Sequence, residues 1–378
     1  MLQNIATIFI AFIVILLAVN YNWLYEYYII LGFNRPPIKP YGNGKCRKIE
    51  GIEACEDIHI HHRTGRAFMT CGTEYERTRA YWPPLNTFNS SHQTRDTPYI
   101  YDIDNDKLIP LVLENFPPEE DFATHGLGIY EDPEDENKLY MFFINHKRSG
   151  SCIETFEHTL NTNELIHLET IQHELIKTPN DIVPVSRYEF YFTNDHYFTK
   201  LPWKKFERPA RLPWSNVVFH SSITNETKIA ADGISSPNGI NTNWDRSLIY
   251  VTALSDGSIL IYERNKNNND LKLRNRIFTG YVSDNISVDE VTGEIYITIV
   301  QKPLINLVFG KGHTSVGVLK ISNNTEENGV NYSQKVIFED DGTLFHSPST
   351  AAVDRKRNVL LISSYRAKGI VRCDSLEP

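Results

Sequence analysis

The sequence lacks the cysteine patterns that mark disulfide-dense scaffolds and zinc sites. Its five cysteines are spread over 378 residues and form no Cys-x-x-Cys pair. Their odd number leaves at least one unpaired. In a ring-shaped fold the two ends of the chain become neighbours, so we expect a disulfide between Cys46 and Cys373. We expect Cys55, Cys71 and Cys152 to be buried as small apolar side chains.

Three further absences narrow the class of protein. No Gly-x-Ser-x-Gly motif is present, which argues against a serine hydrolase of the elbow type. No regular series of amphipathic helical segments separates the strand-like runs, which argues against a parallel βαβ fold. The net charge is −9 and the basic residues are scattered, so we expect no nucleic-acid partner.

The N-terminus carries the one long apolar run, from Met1 to Val19, and no Ala-x-Ala cleavage signal comes after it. We predict that residues 1–33 form a signal or anchor segment, which brings the protein to a membrane or lipid surface, and that residues 34–378 form one domain. The basic residues after the run favour a cytoplasmic position for the rest of the chain. Four Asn-x-Ser/Thr sequons favour instead a lumenal or extracellular, glycosylated chain: Asn89, Asn225, Asn323 and Asn331.

One short phrase recurs along the chain. Its copies begin at Glu56-Asp57-Ile58, His125-Gly126-Leu127, Asn180-Asp181-Ile182, Asn238-Gly239-Ile240, Asp284-Asn285-Ile286 and Ser349-Thr350-Ala351. After each copy comes a turn-rich patch and then an apolar run with aromatic or β-branched residues. A period of about 40–60 residues built from short strands is typical of β-propellers. We therefore predict an all-β, six-bladed β-propeller.

The polar residues of these copies predict a calcium site. The innermost strand of each propeller blade lines the central channel, so equivalent residues face one another there. Hard oxygen donors favour calcium over zinc or copper, and the copies supply them from Glu56, Asn180, Asn238, Asp284 and Asn285. Asp57 and Asp181 are placed to hold a second ion deeper in the tunnel. Alone, any one Asn or Asp is commonly a turn residue bonded to its own backbone; five in register favour the metal.

Histidines lie close to this predicted centre. Beside calcium, His125 is placed to accept a proton from water, with His146 behind it to orient the ring, although a lone histidine is more often structural. His196 either lines the same mouth or packs in the core. Two irregular stretches, Glu74–Pro98 and Lys200–Trp214, are expected to be short helices or loops. The second either covers one mouth and contacts substrate, lipid or a partner, or packs as a surface loop.

These phrases, in this order, resemble the serum paraoxonase/arylesterase family from about Cys46 to Cys373. The most specific stretches are Glu56-Asp57, Asn180-Asp181-Ile182-Val183, Thr193 to Phe198, Asn238 to Asn241 and Asp284 to Asp289. The resemblance implies a six-bladed propeller that hydrolyses lactones and aryl esters with calcium. It also implies that the hydrophobic N-terminus is retained as an anchor.

The resemblance assigns expected roles to single residues. It implies a catalytic calcium held by Glu56, Asn180, Asn238, Asp284 and Asn285, a structural calcium held by Asp57, Asp181 and the carbonyl of Leu127, a His125–His146 dyad and a ring-closing Cys46–Cys373 disulfide. The chain departs from the family at Ile299, where a free cysteine is usual, at Ser236-Pro237 and over Glu74–Pro98. Because such segments shape the substrate pocket, substrate preference is the least transferable property.

Two mechanisms and two classes of function stay open. Either His125 activates water, or a carboxylate of Glu56 or Asp284 attacks the carbonyl directly. The alternative to an enzyme is a non-catalytic, calcium-stabilised propeller that binds a protein or lipid surface. The complete set of oxygen donors together with both histidines favours the enzyme, because a purely structural ring does not need His125 and His146.

Overall fold

The computed structural model describes residues 18–89, 91–303, 314–326 and 329–376, and the chain in these ranges is mostly β-structure. Its helices are short: α1 (Tyr21–Ile30), α2 (Glu74–Thr78) and α3 (Trp203–Glu207). Within the described ranges, no helix combines the length and the apolar character needed to cross a membrane. Most of the predicted apolar run, residues 1–17, lies outside the described residues.

The strands form several antiparallel sheets, numbered here in chain order. The first part of the chain contributes β1 (Cys46–His61), β2 (Arg66–Gly72), β3 (Tyr81–Trp82), β4 (Thr87–Phe88), β5 (Thr97–Asp102), β6 (Lys107–Pro110), β7 (Val112–Glu114), β8 (Thr124–Glu131), β9 (Lys138–Lys147), β10 (Gly150–Thr159) and β11 (Glu164–Ile171). The middle part contributes β12 (Pro179–Ser186), β13 (Glu189–Asn194), β14 (Ser215–Ser221), β15 (Glu226–Ile234), β16 (Pro237–Thr242), β17 (Leu248–Ala253), β18 (Ser258–Arg264) and β19 (Leu271–Phe278). The last part contributes β20 (Val282–Val288), β21 (Ile295–Val300), β22 (Val316–Glu326), β23 (Gly329–Asp340), β24 (Pro348–Asp354), β25 (Val359–Ser364) and β26 (Lys368–Cys373).

The sheets keep to the order of the chain with little crossing. Four strands in sequence order form each of the sheets β12–β15, β16–β19 and β20–β23, and β8–β11 form a fourth sheet that β7 joins along its β11 edge. A larger sheet has the order β24-β25-β26-β1-β2-β5-β6. Successive apolar and aromatic residues of a strand point to opposite faces of its sheet. These faces pack against neighbouring sheets and form the buried clusters of the core.

Strand β1 joins the two ends of the chain. Its first residues pair with β26, so that Cys46 lies opposite Cys373, and its later residues pair with β2. The predicted Cys46–Cys373 disulfide is confirmed. Its residues are 327 positions apart in sequence, so the bond holds the beginning of the sheet structure to the end.

The six copies of the repeated phrase lie on β1, β8, β12, β16, β20 and β24. These six strands pack in a closed ring, each against the next, with β24 returning to β1. The approach is close at two glycines of the phrase: a Cβ on Gly126 would lie 2.5 Å from the Cα of Asp181, and one on Gly239 would lie 2.6 Å from that of Asn285. The inner position predicted for the repeated phrase is therefore confirmed.

One cysteine expectation is wrong. Cys55 and Cys71 do not stay single, because they are paired across β1 and β2 and form a second disulfide. An irregularity of β1 on both sides of Cys55 brings it opposite Cys71, a register that residue spacing alone does not reveal. Cys152 is buried and free, as expected.

Candidate metal centre and active site

Each inner strand loses its regular register at the repeated phrase. The shifts fall between Cys55 and Asp57, Thr124 and Leu127, Pro179 and Ile182, Pro237 and Ile240, Ser283 and Ile286, and Pro348 and Ala351. An irregularity of this kind places extra residues on one strand and re-aims their side chains. As a result, consecutive residues such as Asn180 and Asp181 take part in two different polar layers of the ring.

The upper layer consists of Glu56, Asn180, Asn238, Asp284 and Asn285. Four of these residues line a cavity of about 200 Å³ together with His125, and Asn285 lies beside them with its Nδ2 donating to Glu56 Oε1 over 3.2 Å. The structure therefore brings together all five residues predicted for the first calcium ion. They come from β1, β12, β16 and β20, so no two neighbouring stretches of sequence would form this layer alone.

The upper layer has oxygen atoms without partners. Glu56 Oε2, Asn180 Oδ1, Asn238 Oδ1 and Asn285 Oδ1 are buried and accept no hydrogen bond. A buried polar atom without a partner costs free energy, so such groups are rare unless a ligand satisfies them. Carboxylate and amide oxygens are the ligands that calcium takes in proteins. The residues present therefore fit a calcium ion.

The buried carboxylates of the upper layer also fit a bound cation. Burial raises the pKa of Glu56 well above its usual range, and the neighbouring carboxylates of Asp284 and Asp57 raise it further. Burial also raises the pKa of Asp284 to about 7, although the Arg208 guanidinium opposes that rise. Carboxylates that are crowded and buried in this way need a cation in order to stay ionised together.

The lower layer consists of Asp57 and Asp181, and its oxygens are largely satisfied. Asp57 accepts from the backbone N–H groups of Ile58 and Leu127, and Asp181 accepts from those of Ile182 and Ile240, all within 2.9 Å. The predicted second-ion residue Leu127 thus lies beside Asp57, with its N–H donating to that carboxylate. His59 adds an imidazole, because its ligand atom lies within 4.8 Å of those of Asp57 and Asp181.

The two histidines are in contact. His125 Nδ1 lies 3.1 Å from His146 Nε2, and His146 Nδ1 lies 2.9 Å from the hydroxyl of Ser151. The other ring nitrogen of His125 faces the upper layer, 3.7 Å from Glu56 Oε1. Burial lowers the pKa of His125 to about 3 and that of His146 well below its usual range, so both rings are neutral at pH 7.

His196 is not among the described residues that line the cavity. It is buried and its Nδ1 lies 2.7 Å from the Asp195 carboxylate, which does line the cavity. Burial is the main influence on His196 and lowers its pKa. Two positions were predicted for His196, at the mouth or packed in the core. The second describes it, because His196 packs behind the cavity wall.

A set of hydroxyl groups that the sequence reading missed supports the upper layer. Each stands on the strand that pairs with an inner strand, opposite the register shift, and its Oγ donates to the carbonyl of a residue in the next copy of the phrase around the ring. The pairs are Thr70 with His125, Thr193 with Asn238, Thr252 with Asp284, Thr298 with Ser349 and Ser363 with Glu56. The signal was a Thr or Ser directly after five of the six apolar runs; β9 has Ile144 at the equivalent place.

The irregular segments supply cavity walls. Trp82, Pro84 and Leu85 come from the first segment, and the Trp82 ring packs edge-on against His125 at a centroid distance of 4.9 Å. Arg208 comes from the second segment, one residue after α3. The sequence indicated that the second segment either covers one mouth or packs as a surface loop, but it assigned no single residue of either segment to the wall, because no repeat marks them.

Comparison with known proteins decides the family. A model of the family described as Arylesterase matches residues 38–374. This chain belongs to the arylesterase family. Serum paraoxonase/arylesterase 2 of Rattus norvegicus is 32% identical over 320 residues, which cover 82% of this chain and 84% of that protein. Serum paraoxonase/lactonase 3 of Homo sapiens is 30% identical over 320 residues, which cover 84% of this chain and 85% of that protein.

Solved structures agree with a propeller-like fold. The arylesterase-family chain superposes on a luciferin-regenerating enzyme with a TM-score of 0.52, covering 88% of this chain and 95% of that one at 13% identity. It also superposes on the aldose sugar dehydrogenase of Streptomyces coelicolor with a TM-score of 0.51, covering 89% and 98% at 10% identity. At such identities the likeness concerns the fold alone.

Proposed function

We propose that this protein is a calcium-dependent hydrolase of lactones and aryl esters that acts in the cavity above the upper layer. The observation that carries the proposal is the set of four buried, unpartnered oxygens in that layer, in a chain of the arylesterase family. The relatives are named as arylesterases, lactonases and paraoxonases. The cavity also has apolar walls, which suit the acyl or aryl part of such substrates.

The upper layer would hold the catalytic calcium through Glu56, Asn180, Asn238, Asp284 and Asn285. When bound, calcium supplies Lewis-acid polarisation of a substrate carbonyl. Asp57 and Asp181 of the lower layer, with the backbone at Leu127, would hold a second, structural ion. The two layers meet at Thr350, whose Oγ1 lies 2.9 Å from Asp57 Oδ1 and also accepts from Asn285 Nδ2.

His125 would take a proton from the attacking water. Its ring is neutral and can therefore accept a proton at Nε2, which lies 3.4 Å from Asn180 Nδ2, and the bond to His146, itself held by Ser151, fixes the direction of the ring. Trp82 covers one side and keeps bulk water away from the ring. His125 and His146 thus act as a base and its orienting partner.

The low pKa of His125 also supports the rival mechanism. A group that takes a proton only near pH 3 is a weak base at pH 7. Direct attack by the carboxylate of Glu56 or Asp284 would then form an acyl-enzyme, and the histidines would orient water for its breakdown. The two mechanisms differ in what happens to oxygen from the solvent. In single-turnover hydrolysis in H₂¹⁸O, the carboxylate mechanism labels Glu56 or Asp284 when water attacks the side-chain carbonyl carbon of the mixed anhydride, whereas the histidine mechanism labels only the product. Label found in either side chain would therefore rule out the histidine mechanism.

We infer that the large sheet comprises two blades that share β1, which brings the ring to six blades. We further propose that the protein acts in the secretory pathway, in the lumen or outside the cell. The two disulfides support an oxidising compartment, and the four predicted sequon asparagines are exposed. The exposed Trp23, Tyr25 and Phe33 support contact of the N-terminal segment with a membrane or lipid surface.

The test is hydrolysis of phenyl acetate and a panel of lactones by the purified full chain. A calcium chelator should abolish hydrolysis, and added calcium should restore it. A folded, calcium-bound protein that hydrolyses none of these compounds would favour a non-catalytic propeller that binds a protein or lipid surface.

The histidine pair has its own test. His125→Gln keeps a hydrogen-bonding side chain of similar length but removes the base, and it should lower the lactonase kcat by about 10²–10⁴-fold. His220→Gln is the matched control, because that buried histidine bonds Thr227 and Ser222 and none of these three residues lines the cavity. An unchanged kcat in His125→Gln would remove the pair from the mechanism.

A further inference from the structure

Arg208 is the single lysine or arginine among the described residues that line the cavity of the upper layer. Its side chain is about one-third exposed (34%), so it is neither buried in the wall nor free in solvent. Besides His125, Asp195 and the polar residues of the upper layer, the lining includes the apolar Leu85, Leu254, Val282 and Val300. One guanidinium group therefore faces a space that has both a polar layer and apolar walls.

The guanidinium group is held in a fixed orientation from behind. Arg208 Nη2 donates to Asp195 Oδ2 over 2.7 Å, and Nε donates to the hydroxyl of Ser236 over 3.3 Å. Asp195 is itself held by His196, and Ser236 by the carbonyl of Asp195. A guanidinium has five N–H donors in one plane. These two bonds use the edge of the group nearest Asp195 and leave other donors for a ligand.

The neighbouring cation does not compete for this role. Lys204 is buried, its Nζ donates to the carbonyl of Pro83, and it lines a different cavity beside His146. The Glu207 carboxylate is also occupied, because it accepts from the backbone N–H groups of Tyr197 and Phe198. Arg208 is thus the cationic group that a molecule in the upper cavity would meet.

We propose that Arg208 makes the site selective for esters and lactones that carry a carboxylate group attached to an apolar body. The inference rests on the proposed function. A planar guanidinium binds a carboxylate through two parallel hydrogen bonds, whereas a neutral carbonyl accepts a weaker bond. The carboxylate would lie at Arg208, the hydrocarbon would lie against the apolar wall, and the ester carbonyl would face the upper layer. Arg208 is a specificity residue in this arrangement.

The test compares 4-acetoxybenzoate with its neutral isostere 4-acetoxybenzamide on the calcium-loaded full chain. We expect the ratio of kcat/KM, anionic over neutral, to fall at least tenfold in Arg208→Met, because the variant also leaves the Asp195 carboxylate facing the anion. Arg208→Lys should keep part of the preference. Arg47→Met is the matched control, since it removes the same charge from an exposed pair with Asp106. Its ratio should equal that of the wild type.

The outcomes separate the two proposals. If neither ester is hydrolysed and phenyl acetate and the lactones are not hydrolysed either, the proposed function fails and the preference fails with it. If phenyl acetate or a lactone is hydrolysed but neither of these esters is, the preference alone is overturned. If both are hydrolysed and Arg208→Met changes the ratio less than twofold, the preference alone is overturned. Should Arg208→Met not fold, product inhibition of the wild type gives the answer: 4-hydroxybenzoate should inhibit at a concentration at least tenfold lower than 4-hydroxybenzamide. Equal inhibition would overturn the preference.

Discussion

The two polar layers of the ring are built from adjacent residues yet differ in how their oxygens are satisfied. Asn180 belongs to the upper layer and has a buried oxygen with no partner, whereas Asp181, the next residue, accepts two backbone hydrogen bonds. The lower layer therefore joins strands even without an ion, whereas the upper layer leaves buried oxygens for the proposed ion. On that proposal, the structural and the chemical role lie one residue apart in the sequence.

Breaking the upper layer should have the largest effect on activity. Asp284→Ala and Asn238→Ala each remove an oxygen donor from the proposed calcium site, and loss of several kcal/mol of carbonyl polarisation lowers kcat/KM for phenyl acetate by about 10³-fold or more. The melting temperature in the presence of a calcium chelator should change little, because these oxygens accept little within the protein. Asn267→Ala, in an exposed turn, is the control. Full activity in either site variant would contradict the assignment.

Breaking the lower layer should instead affect stability. Asp181→Ala leaves the buried N–H groups of Ile182 and Ile240 without their acceptor, so we expect a loss of about 2–5 kcal/mol in the free energy of unfolding. Asn180→Ala is the matched control on the same strand. Urea unfolding in the presence of a calcium chelator measures both, and equal midpoints would show that the layers do not differ as described.

The two layers also predict a pH dependence. Because burial raises the pKa of Asp284 to about 7 and that of Glu56 well above its usual range, the metal-free protein binds protons there at neutral pH. Calcium must displace them, so its affinity should rise with pH through about 7 and fall below it, by up to about tenfold per pH unit for each proton released.

Calorimetry in two buffers of different ionisation enthalpy measures the protons released on calcium binding. Asp284→Asn should release fewer protons than the wild type. Asp181, whose pKa is raised by burial and by Asp57, remains as a second source in that variant. A calcium affinity that is the same at pH 6 and pH 8 would contradict the expected protonation of the upper layer.

Much of this centre could be predicted because the signal repeats. Six copies of one phrase indicated the inner strands, and Glu56, Asn180 and Asp284 were predicted to be oxygen donors from their place in the copies. The Cys46–Cys373 bond was expected from the closure of a ring. Each of these inferences relies on residues that are far apart in sequence but occupy corresponding places in the chain. A propeller-like fold brings such residues close together.

The parts that escaped prediction lack such equivalence. The Cys55–Cys71 disulfide depends on a local irregularity of β1, and a one-residue change of register would turn these side chains to opposite faces. Trp82 and Arg208 come from irregular segments that occur once each. Their positions depend on tertiary packing, so residue type and spacing alone do not predict that they line the cavity.

The smallest expected effect concerns the Thr and Ser hydroxyl groups that link the two layers. Thr193 Oγ1 accepts from the N–H of Asp181 over 3.2 Å and donates to the carbonyl of Asn238 over 2.6 Å, so it joins a lower-layer residue to an upper-layer one. Thr193→Val keeps the shape but leaves both groups unpaired, and we expect a loss of about 1–3 kcal/mol in the free energy of unfolding.

Thr193→Ser keeps the hydroxyl and should recover most of that stability. The sheet that contains β8 and β9 already has an apolar residue at this place, since Ile144 stands opposite the register shift of β8. Its side chain has no hydroxyl to bond the backbone. Ile144→Val should therefore cost only what a lost methylene costs, about 0.5–1.5 kcal/mol. If Thr193→Val and Thr193→Ser unfold at the same urea concentration, the hydroxyl does not couple the layers and packing alone holds Asn238 in place.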